Sequence, residues 1–330
     1  MSIRILATGS YIPERILSNA DLEKMVDTSD EWIRTRTGIQ YRHLGAPEQA
    51  SSDLATIAAE RALQKAGLTG MDLDAILVAT VTPDHFFPST ACVVQKNLGA
   101  SRAFCFDMAA ACTGLIFALQ TGYSLIKATP SIFRKVLVLG AEMPTRLVDW
   151  EDRNTCVLFG DGASAVILGA DDSDGPDFLA ASDLHTDGTL GNLLQLPAGG
   201  SRMPASGKTV AEKLHYIHME GREVFKNAVA GMVNSSRTAL ERAGVSIGEI
   251  RWVIPHQANI RIIDAVSQRL EAGSAQLYTN IDRVGNTSAA SIGICLDELA
   301  RAGKLDSGDL VLLTAFGGGL TWGAMLIRWA

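Results

Sequence analysis

The sequence contains no pair of closely spaced cysteines and no excess of positive charge. Its five cysteines are scattered without a CxxC pair, which argues against a disulfide framework or a zinc site and suits a reducing cytosol. The formal net charge is −7, so the composition does not favour nucleic-acid binding. His215 and His218 lie three residues apart and could share a helix face, but no further Cys or His accompanies them. We therefore expect no metal site.

Long hydrophobic runs are also missing. No uninterrupted apolar stretch reaches the roughly 20 residues that a membrane-spanning helix needs. The first nine residues are typical of a strand that enters a turn, not of a signal peptide. These absences predict a cytoplasmic protein without a membrane partner. A chain of 330 residues is long enough for one large domain or for two fused halves with a substantial core.

Strand-like and helix-like patterns alternate along the chain, which predicts an α/β protein. A helix is expected over 52–66, ended by Gly67, and a longer helix over 212–243. Residues 171–207 are rich in Asp, Gly, Ser and Pro and predict a connector or lid. Short apolar runs predict the main strands at 3–8, 75–80, 136–140, 163–168, 252–255, 310–315 and 323–329.

An internal repeat relates the two parts of the chain. Residues 62–77 (ALQKAGLTGMDLDAIL) match residues 239–254 (ALERAGVSIGEIRWVI) without a gap. When the two parts of the chain are aligned at the same offset, Cys112 aligns with Ala289. Chance similarity between short apolar segments is the alternative, and the ungapped match makes it the weaker one. We expect two copies of one α/β unit, related by a pseudo-twofold axis, with the Cys112 and Asn286 loops at a shared seam.

The stretch 106–120 (FDMAAACTGLIFALQ) predicts a strand end, a tight turn of small residues and a helix that opens near Cys112. A cysteine in the first turn of a helix is close to unpaired amide N–H groups and to the positive end of the helix dipole. Both lower a thiol pKa and favour thiolate, so Cys112 is a candidate nucleophile. A buried structural cysteine is the other possibility.

Two further segments could meet Cys112 at the seam. His256 follows a predicted strand, and Asn286 belongs to the second copy of the repeat. A cysteine beside a histidine is a common pair for acyl transfer, and an imidazole and a carboxamide can together stabilise an enolate oxygen. Three glycines, 317–319, would let backbone N–H groups approach the acyl oxygen. Taken singly, each residue has an ordinary structural explanation, but the combination favours a catalytic site.

Together these motifs resemble the β-ketoacyl-[acyl carrier protein] synthase III family, which has a thiolase-like fold. The resemblance implies two duplicated halves in five layers, α-β-α-β-α, with the first half over 1–170, a connector or lid over 171–210 and the second half over 211–330. The motifs extend in family order along essentially the whole chain: 27–39 (DTSDEWIRTRTGI), 107–114 (DMAAACTG), 159–163 (FGDGA), 255–261 (PHQANIR), 283–291 (RVGNTSAAS) and 315–323 (AFGGGLTWG).

The resemblance implies a decarboxylating Claisen condensation that starts fatty-acid biosynthesis. Cys112 would take the acyl group of an acyl-CoA primer, expected to be acetyl-CoA. His256 and Asn286 would hold the enolate that malonyl-[acyl carrier protein] forms as it loses CO₂. The amides of Cys112 and Gly318 would form the oxyanion hole, and Phe316 would pack beside Cys112 and His256. No cofactor is expected, because both thioesters are substrates.

The resemblance also implies binding residues and partners. Coenzyme A would contact Thr28, Trp32, Arg36, Arg153, Phe225 and Asn259. The acyl pocket would include Phe159, Met219 and Phe87, the last of which a second copy inserts, so that the protein would be a homodimer. The acidic carrier protein would meet Lys226, Gln257, Arg261 and Arg269. Relatives often have two adjacent basic residues at the far end of that patch, whereas this chain has Gln268 before Arg269. Carrier binding would then either be weaker or rely on other contacts such as Arg222.

Three alternatives compete with this assignment. A specialised relative of secondary metabolism would also keep Cys112 and His256, and Asn286 would not exclude it. A thiolase proper is disfavoured, because it uses a second cysteine near the C-terminus, where this chain has a glycine loop without cysteine. A non-catalytic scaffold for CoA or carrier protein would be expected to lack the nucleophile, which is present.

Overall fold

The computed structural model describes residues 1–329, which form thirteen strands and ten α-helices. The strands are β1 (Ser2–Tyr11), β2 (Arg15–Ser18), β3 (Tyr41–Leu44), β4 (Ala75–Ala79), β5 (Phe104–Met108), β6 (Lys135–Glu142), β7 (Gly162–Asp171), β8 (Leu179–Thr186), β9 (Leu194–Gln195), β10 (His218–Met219), β11 (Trp252–Pro255), β12 (Leu310–Gly317) and β13 (Thr321–Arg328). The helices are α1 (Asn19–Leu22), α2 (Asp30–Thr37), α3 (Ser51–Ala66), α4 (Thr90–Asn97), α5 (Gly114–Ala128), α6 (Gly207–Ala211), α7 (Gly221–Ala243), α8 (Ile260–Leu270), α9 (Ile281–Val284) and α10 (Ser291–Arg301).

Two sheets of the same topology form the framework. The first has the strand order β1-β7-β6-β4-β5 and the second the order β8-β13-β12-β11. In both, the first three strands are antiparallel and the next pair is parallel. In the second sheet, a parallel bridge joins Val253 of β11 to Leu277, at the position that β5 occupies beside β4 in the first sheet. The predicted duplication is therefore confirmed at the level of strand order.

The ungapped repeat found in the sequence forms the same structure twice. Helix α3 ends at Gly67 with φ +65°, and α7 ends at Gly244 with φ +68°. Each glycine takes the left-handed conformation that a side chain disfavours. A 3₁₀ turn follows each of them, Gly70–Asp72 and Ile247–Glu249, and each turn leads into a central strand, β4 or β11.

The buried apolar residues define five layers. The two sheets enclose a central layer, in which α5 and α10 pack between the strands of both halves. Helices α3 and α4 cover the outer face of the first sheet, and α7 and α8 cover the outer face of the second. This is the predicted α-β-α-β-α arrangement.

At the seam between the halves, two tight turns face each other and precede the central helices. The 3₁₀ turn Ala111–Thr113 leads into α5, and the 3₁₀ turn Ser288–Ala290 leads into α10. Ala111 (φ +45°) and Ser288 (φ +49°) occupy equivalent positions of the repeat and share a positive φ. Gly140 on β6 lets the second turn approach closely, because a Cβ built there would lie 2.6 Å from the carbonyl oxygen of Ala289.

Two sequence-based expectations need revision. The helix expected over 212–243 begins only at Gly221, because Lys213 has φ +56° and the chain then forms β10. His215 and His218 therefore do not share a helix face; His215 contacts the Thr209 hydroxyl instead. The stretch expected as connector contains β8, which is the edge strand of the second sheet. Within residues 1–329, no helix is long and apolar enough to cross a lipid bilayer.

Candidate active site

Cys112 lies in the tight turn between β5 and α5, close to the C-terminal half. The hydroxyl of Thr113 contacts the carbonyl of Ala110 (2.6 Å) and the Thr321 hydroxyl (2.8 Å), which ties the turn to β13. Gly317, at the end of β12, must be a glycine here, because a Cβ built on it would lie 2.7 Å from the Cys112 nitrogen. Gly318 follows, and a Cβ built there would lie 3.8 Å from the Ala111 Cβ. The glycine loop therefore lies against the predicted nucleophile.

The expectation that Cys112 has a lowered pKa is wrong. Burial raises the pKa of its thiol to about 12, and the nearby Glu142 carboxylate adds to the increase. A helix terminus contributes at most about 2 kcal/mol to a neighbouring charge, which does not offset this burial. The raised pKa favours the neutral thiol over the thiolate in the free protein.

His256 lies just after β11 and is almost fully buried. Its Nδ1 lies 2.7 Å from the hydroxyl of Ser291, the first residue of α10. That hydroxyl can accept a hydrogen from Nδ1 or donate one to it, so Nε2 can be either a proton acceptor or a proton donor. Burial lowers the pKa of His256 to about 3, which keeps the imidazole neutral.

Asn286 is fixed by its backbone and by its own side chain. Its N–H donates to the Leu158 carbonyl (2.9 Å), and its carbonyl accepts from the Gly160 N–H (3.0 Å). The side-chain Oδ1 accepts from the Ser288 N–H at 2.9 Å. Because Oδ1 is occupied, the Nδ2 hydrogens remain available as donors to the adjoining cavity.

One cavity of about 560 Å³ brings the three candidate catalytic residues together. Cys112 comes from the first half of the chain, and His256 and Asn286 come from the second, as the repeat predicted. Other lining residues extend from this end towards Trp32 and Arg222. The predicted residues that line the cavity are Trp32, Arg36, Cys112, Phe159, Met219, Phe225, His256, Asn259, Arg261, Asn286 and Phe316.

Two of the other predicted coenzyme A residues, Arg36 and Arg153, lie beside Trp32. The guanidinium carbons of Arg36 and Arg153 lie 5.0 and 5.2 Å from the centre of its ring. A planar base between Trp32 and Arg153 would need about 7 Å, so Arg153 must swing away to admit one. The Thr28 hydroxyl does not line the cavity, but it is buried and has no hydrogen-bond partner within residues 1–329.

Four of the predicted carrier or pocket residues lie outside the cavity. Gln257 cannot contact a carrier protein, because it is 0% exposed and its side chain bonds to Pro255 and Asn280; this prediction is wrong. Phe87 is 87% exposed and lies away from the cavity of its own chain. Lys226 and Arg269 are exposed on α7 and α8.

Sequence reasoning missed three polar residues around the candidate catalytic residues: Glu142, Ser288 and Ser291. Glu142 is fully buried at the end of β6, and its Oε1 accepts from the Ser288 hydroxyl at 2.9 Å. That hydroxyl also lies 3.5 Å from the Cys112 sulfur. A usable signal was present, because an acidic residue at the C-terminal end of an apolar strand falls at the sheet edge where α/β proteins place their sites.

The fold and the cavity together define the class of protein. Two fused α/β copies, with a cysteine from one and a histidine and asparagine from the other on a shared cavity, are typical of thiolase-like condensing enzymes. Models of two domains of 3-oxoacyl-[acyl-carrier-protein] synthase III match the chain over residues 106–188 and 240–329. The chain belongs to the 3-oxoacyl-[acyl-carrier-protein] synthase III family, and it is an acyltransferase of the condensing type.

Individual relatives agree with this assignment. A beta-ketoacyl-[acyl-carrier-protein] synthase III of Caldanaerobacter subterraneus subsp. tengcongensis is 54% identical, over 99% of this chain and 97% of its own length. The crystal structure of the 3-oxoacyl-[acyl-carrier-protein] synthase III of Aquifex aeolicus superposes with a TM-score of 0.90 at 47% identity, covering 99% of this chain and 100% of the other. The priming beta-ketosynthase of the R1128 polyketide pathway is similar at 34% identity, with a TM-score of 0.91 over 99% of this chain and 96% of the other. Because the identity to the synthase III relatives, 54% and 47%, exceeds the 34% identity to the polyketide enzyme, the alternative in secondary metabolism is not favoured.

Proposed function

We propose that this protein condenses an acyl-CoA primer with malonyl-[acyl carrier protein] to give a 3-oxoacyl-[acyl carrier protein], the step that starts fatty-acid biosynthesis. The observation that carries the proposal is that Cys112, His256 and Asn286, contributed by both halves of the duplication, line one cavity. The reaction proceeds in two stages, because a single nucleophile first holds the primer and the second substrate then removes it.

In the first stage, the thiol of Cys112 attacks the thioester carbon of the primer and displaces coenzyme A. The N–H groups of Cys112 and Gly318 stabilise the oxygen of the tetrahedral intermediate. The closeness of the glycine loop to the Cys112 turn supports this role. Phe159 and Met219, which line the cavity, enclose the acyl group, and Phe316, which lines the same cavity, packs beside Cys112 and His256.

In the second stage, malonyl-[acyl carrier protein] loses CO₂, and the enolate attacks the acyl group on Cys112. His256 Nε2–H and Asn286 Nδ2–H donate hydrogen bonds to the enolate oxygen. Their surroundings support this role, because burial keeps His256 neutral and the Ser288 N–H occupies Asn286 Oδ1. Neutral donors stabilise the developing negative charge without competing for the proton of the thiol.

Binding residues extend the site towards the surface. Trp32, Arg36 and Arg153 hold the nucleotide end of coenzyme A with the Thr28 hydroxyl, while Phe225 and Asn259 form the wall beside pantetheine. Arg261 lies with its guanidinium carbon 5.7 Å from the centre of the Phe225 ring, at the same cavity. Together with Lys226, Arg269 and Arg222 it offers positive charge to an acidic carrier protein. The exposure of Phe87 supports a homodimer in which it enters the pocket of the other copy.

Separate assays of the two stages test this division of labour. We expect Cys112→Ser to abolish covalent labelling by radioactive acyl-CoA, and intact-mass analysis of the wild type to show one acyl group on Cys112. We expect His256→Ala and Asn286→Ala to keep the labelling and to lose the release of CO₂ from malonyl-[acyl carrier protein] by 10²-fold or more, an estimate of roughly the size seen for lost oxyanion donors.

The matched control for the first variant is Cys295→Ser, which changes a cysteine that is buried in α10 and does not line the cavity. It should accept the acyl label as the wild type does. Labelling that survives in Cys112→Ser would refute the nucleophile, and normal CO₂ release by the His256 and Asn286 variants would remove these residues from the second stage.

A further inference from the structure

A chain of hydrogen bonds leads from the Cys112 sulfur away from the cavity to a buried carboxylate. The Ser288 hydroxyl lies 3.5 Å from Cys112 Sγ and 2.9 Å from Glu142 Oε1. In its ionised form Glu142 can only accept, and in that form the Ser288 hydrogen points to Glu142 and the Ser288 oxygen faces the thiol. The chain therefore has one direction, S–H to O–H to carboxylate.

The second oxygen of Glu142 is fully occupied by donors. Oε2 accepts from the Thr82 hydroxyl (2.7 Å), the Val81 N–H (3.1 Å) and the Thr80 hydroxyl (3.2 Å). The Thr82 hydroxyl in turn accepts from the Met143 N–H, so its own hydrogen is left for Glu142. Because Oε2 is saturated, a proton arriving at this carboxylate goes to Oε1, the oxygen that faces Ser288.

We propose that Ser288 and Glu142 form a proton relay that takes the thiol proton of Cys112 during acylation and returns it after condensation. This inference rests on the proposed role of Cys112 as the nucleophile. In acylation the S–H bond breaks as sulfur bonds to the acyl carbon, Ser288 receives that proton, and the Ser288 proton moves to Glu142; coenzyme A leaves as a thiolate, which takes a proton from solvent. In condensation Cys112 leaves as a thiolate, and the same two transfers run backwards.

The surroundings of Glu142 suit a proton acceptor. Burial raises the pKa of its carboxyl, although hydrogen bonds from Thr82, Val81, Ser288 and Thr80 oppose the increase. The causes of its pKa shift include no cation within residues 1–329, and the Cys112 thiol is a titratable neighbour whose pKa the Glu142 charge helps to raise. The relay also explains how a thiol with a pKa of about 12 loses its proton at neutral pH. His256 then remains a neutral donor in the second stage.

Glu142→Gln and Ser288→Ala test the relay by different routes. Glu142→Gln keeps the shape of the side chain but removes its basicity. Ser288→Ala breaks the chain of hydrogen bonds but leaves the Glu142 carboxylate in place. We expect both to slow single-turnover acylation at pH 7 by about 10²-fold and to give rates that rise with hydroxide up to pH 9, unlike the wild type. Release of CO₂ from malonyl-[acyl carrier protein] without primer should change little, because that step moves no proton of Cys112.

Thr80→Val is the matched control, since it removes a donor from the other oxygen of the same buried carboxylate and leaves the relay intact. It should slow acylation far less than Ser288→Ala. Wild-type acylation rates and pH profiles in both relay variants would overturn the inference. Equal losses of acylation and of CO₂ release in both variants would also overturn it, because they would mean that Glu142 and Ser288 only support the structure of the site. If the wild type carries no acyl group on Cys112, the proposed function itself fails. If the wild type is acylated and both relay variants are acylated at the same rate, only the relay fails.

Discussion

Gly317 is the residue at which the C-terminal half comes closest to the nucleophile. A Cβ built there would lie 2.7 Å from the Cys112 nitrogen and 3.2 Å from the Ala111 Cβ. Gly317→Ala must therefore displace the 111–113 turn, at a cost of about 1–3 kcal/mol in the free energy of unfolding. We expect acylation of Cys112 to fall by at least 10-fold, a rough figure for a misplacement well below 1 Å, measured by single-turnover labelling with acyl-CoA.

A glycine in open surroundings separates this effect from a general one. Gly207, at the start of α6, has no atom within 4 Å of a Cβ built on it. Gly207→Ala should therefore label at the wild-type rate and keep or slightly raise the stability. Equal labelling by Gly317→Ala and Gly207→Ala would show that the turn can move without consequence.

Residue types and spacing were enough to predict that Cys112, His256 and Asn286 lie together at one cavity, but not their electrostatic state. The position of Cys112 before a helix predicts thiolate, whereas burial raises its pKa to about 12. Burial depends on what the other half of the chain places around the sulfur, and no local pattern contains that information. The same reason explains Gln257, which stands in a motif beside His256 yet points into the core.

Helix α8 depends on a residue that also has a predicted ligand role. The Asn259 side chain caps this helix by accepting from the Ile262 N–H at 3.0 Å. Asn259→Ala should lower the free energy of unfolding by about 1 kcal/mol, the usual value of such a cap. If the carboxamide also contacts pantetheine, the KM for acyl-CoA should rise in the same variant. Urea denaturation and steady-state kinetics measure the two effects separately.

Asn259→Ser divides these roles, because serine caps a helix almost as well as asparagine but cannot offer an amide N–H. We expect the serine variant to recover the stability that the alanine variant loses and to leave the KM raised. Recovery of both quantities would remove the ligand contact and leave Asn259 a helix cap alone.

The elements that sequence reasoning misplaced lie where backbone geometry overrides the side-chain pattern. The expected helix over 212–243 has helical spacing from its start. The structure interrupts it there, because α6 ends at Ala211 and Lys213 has a φ of +56°. Strand β8 gave no signal, because Asp183 is its only buried residue and no apolar alternation marks it. By contrast, α3 and the strands β4 and β6 were predicted to within about two residues, since their apolar patterns are continuous.

At the scale of the whole molecule, the duplication was visible because one ungapped segment covers a helix end, a turn and a strand in each half. What the sequence could not reveal is the contact between the halves outside the active site. The side chain of Asp297 in α10 is 2% exposed and accepts from Thr8 (2.8 Å) and Ser10 (2.6 Å) of β1 and from Lys65 (2.6 Å) of α3. These partners lie far apart in sequence, so no spacing links them.

Asp297→Asn should therefore weaken the joint between the halves. Burial alone would raise the pKa of this carboxyl, but hydrogen bonds from Lys65, Ser10 and Thr8 lower it overall. A lowered folded-state pKa means that the stabilisation is fully present above the unfolded-state pKa of about 3.9 and is lost as the pH falls through the folded-state pKa. We expect a loss on the order of 2 kcal/mol in the free energy of unfolding at pH 7, which is typical of hydrogen bonds to a buried charge.

Urea denaturation of the wild type and the variant from pH 8 down to pH 3 tests this pH dependence. The difference should stay constant down to about pH 5 and shrink below about pH 4, as the wild-type carboxylate gains its proton. Arg301→Gln is the control, because Arg301 pairs with the same carboxylate at 3.0 Å but its side chain is 54% exposed. Its removal should cost less than about 1 kcal/mol. A difference for Asp297→Asn that persists unchanged at pH 3 would mean that Asp297 stabilises the joint by shape and not by charge.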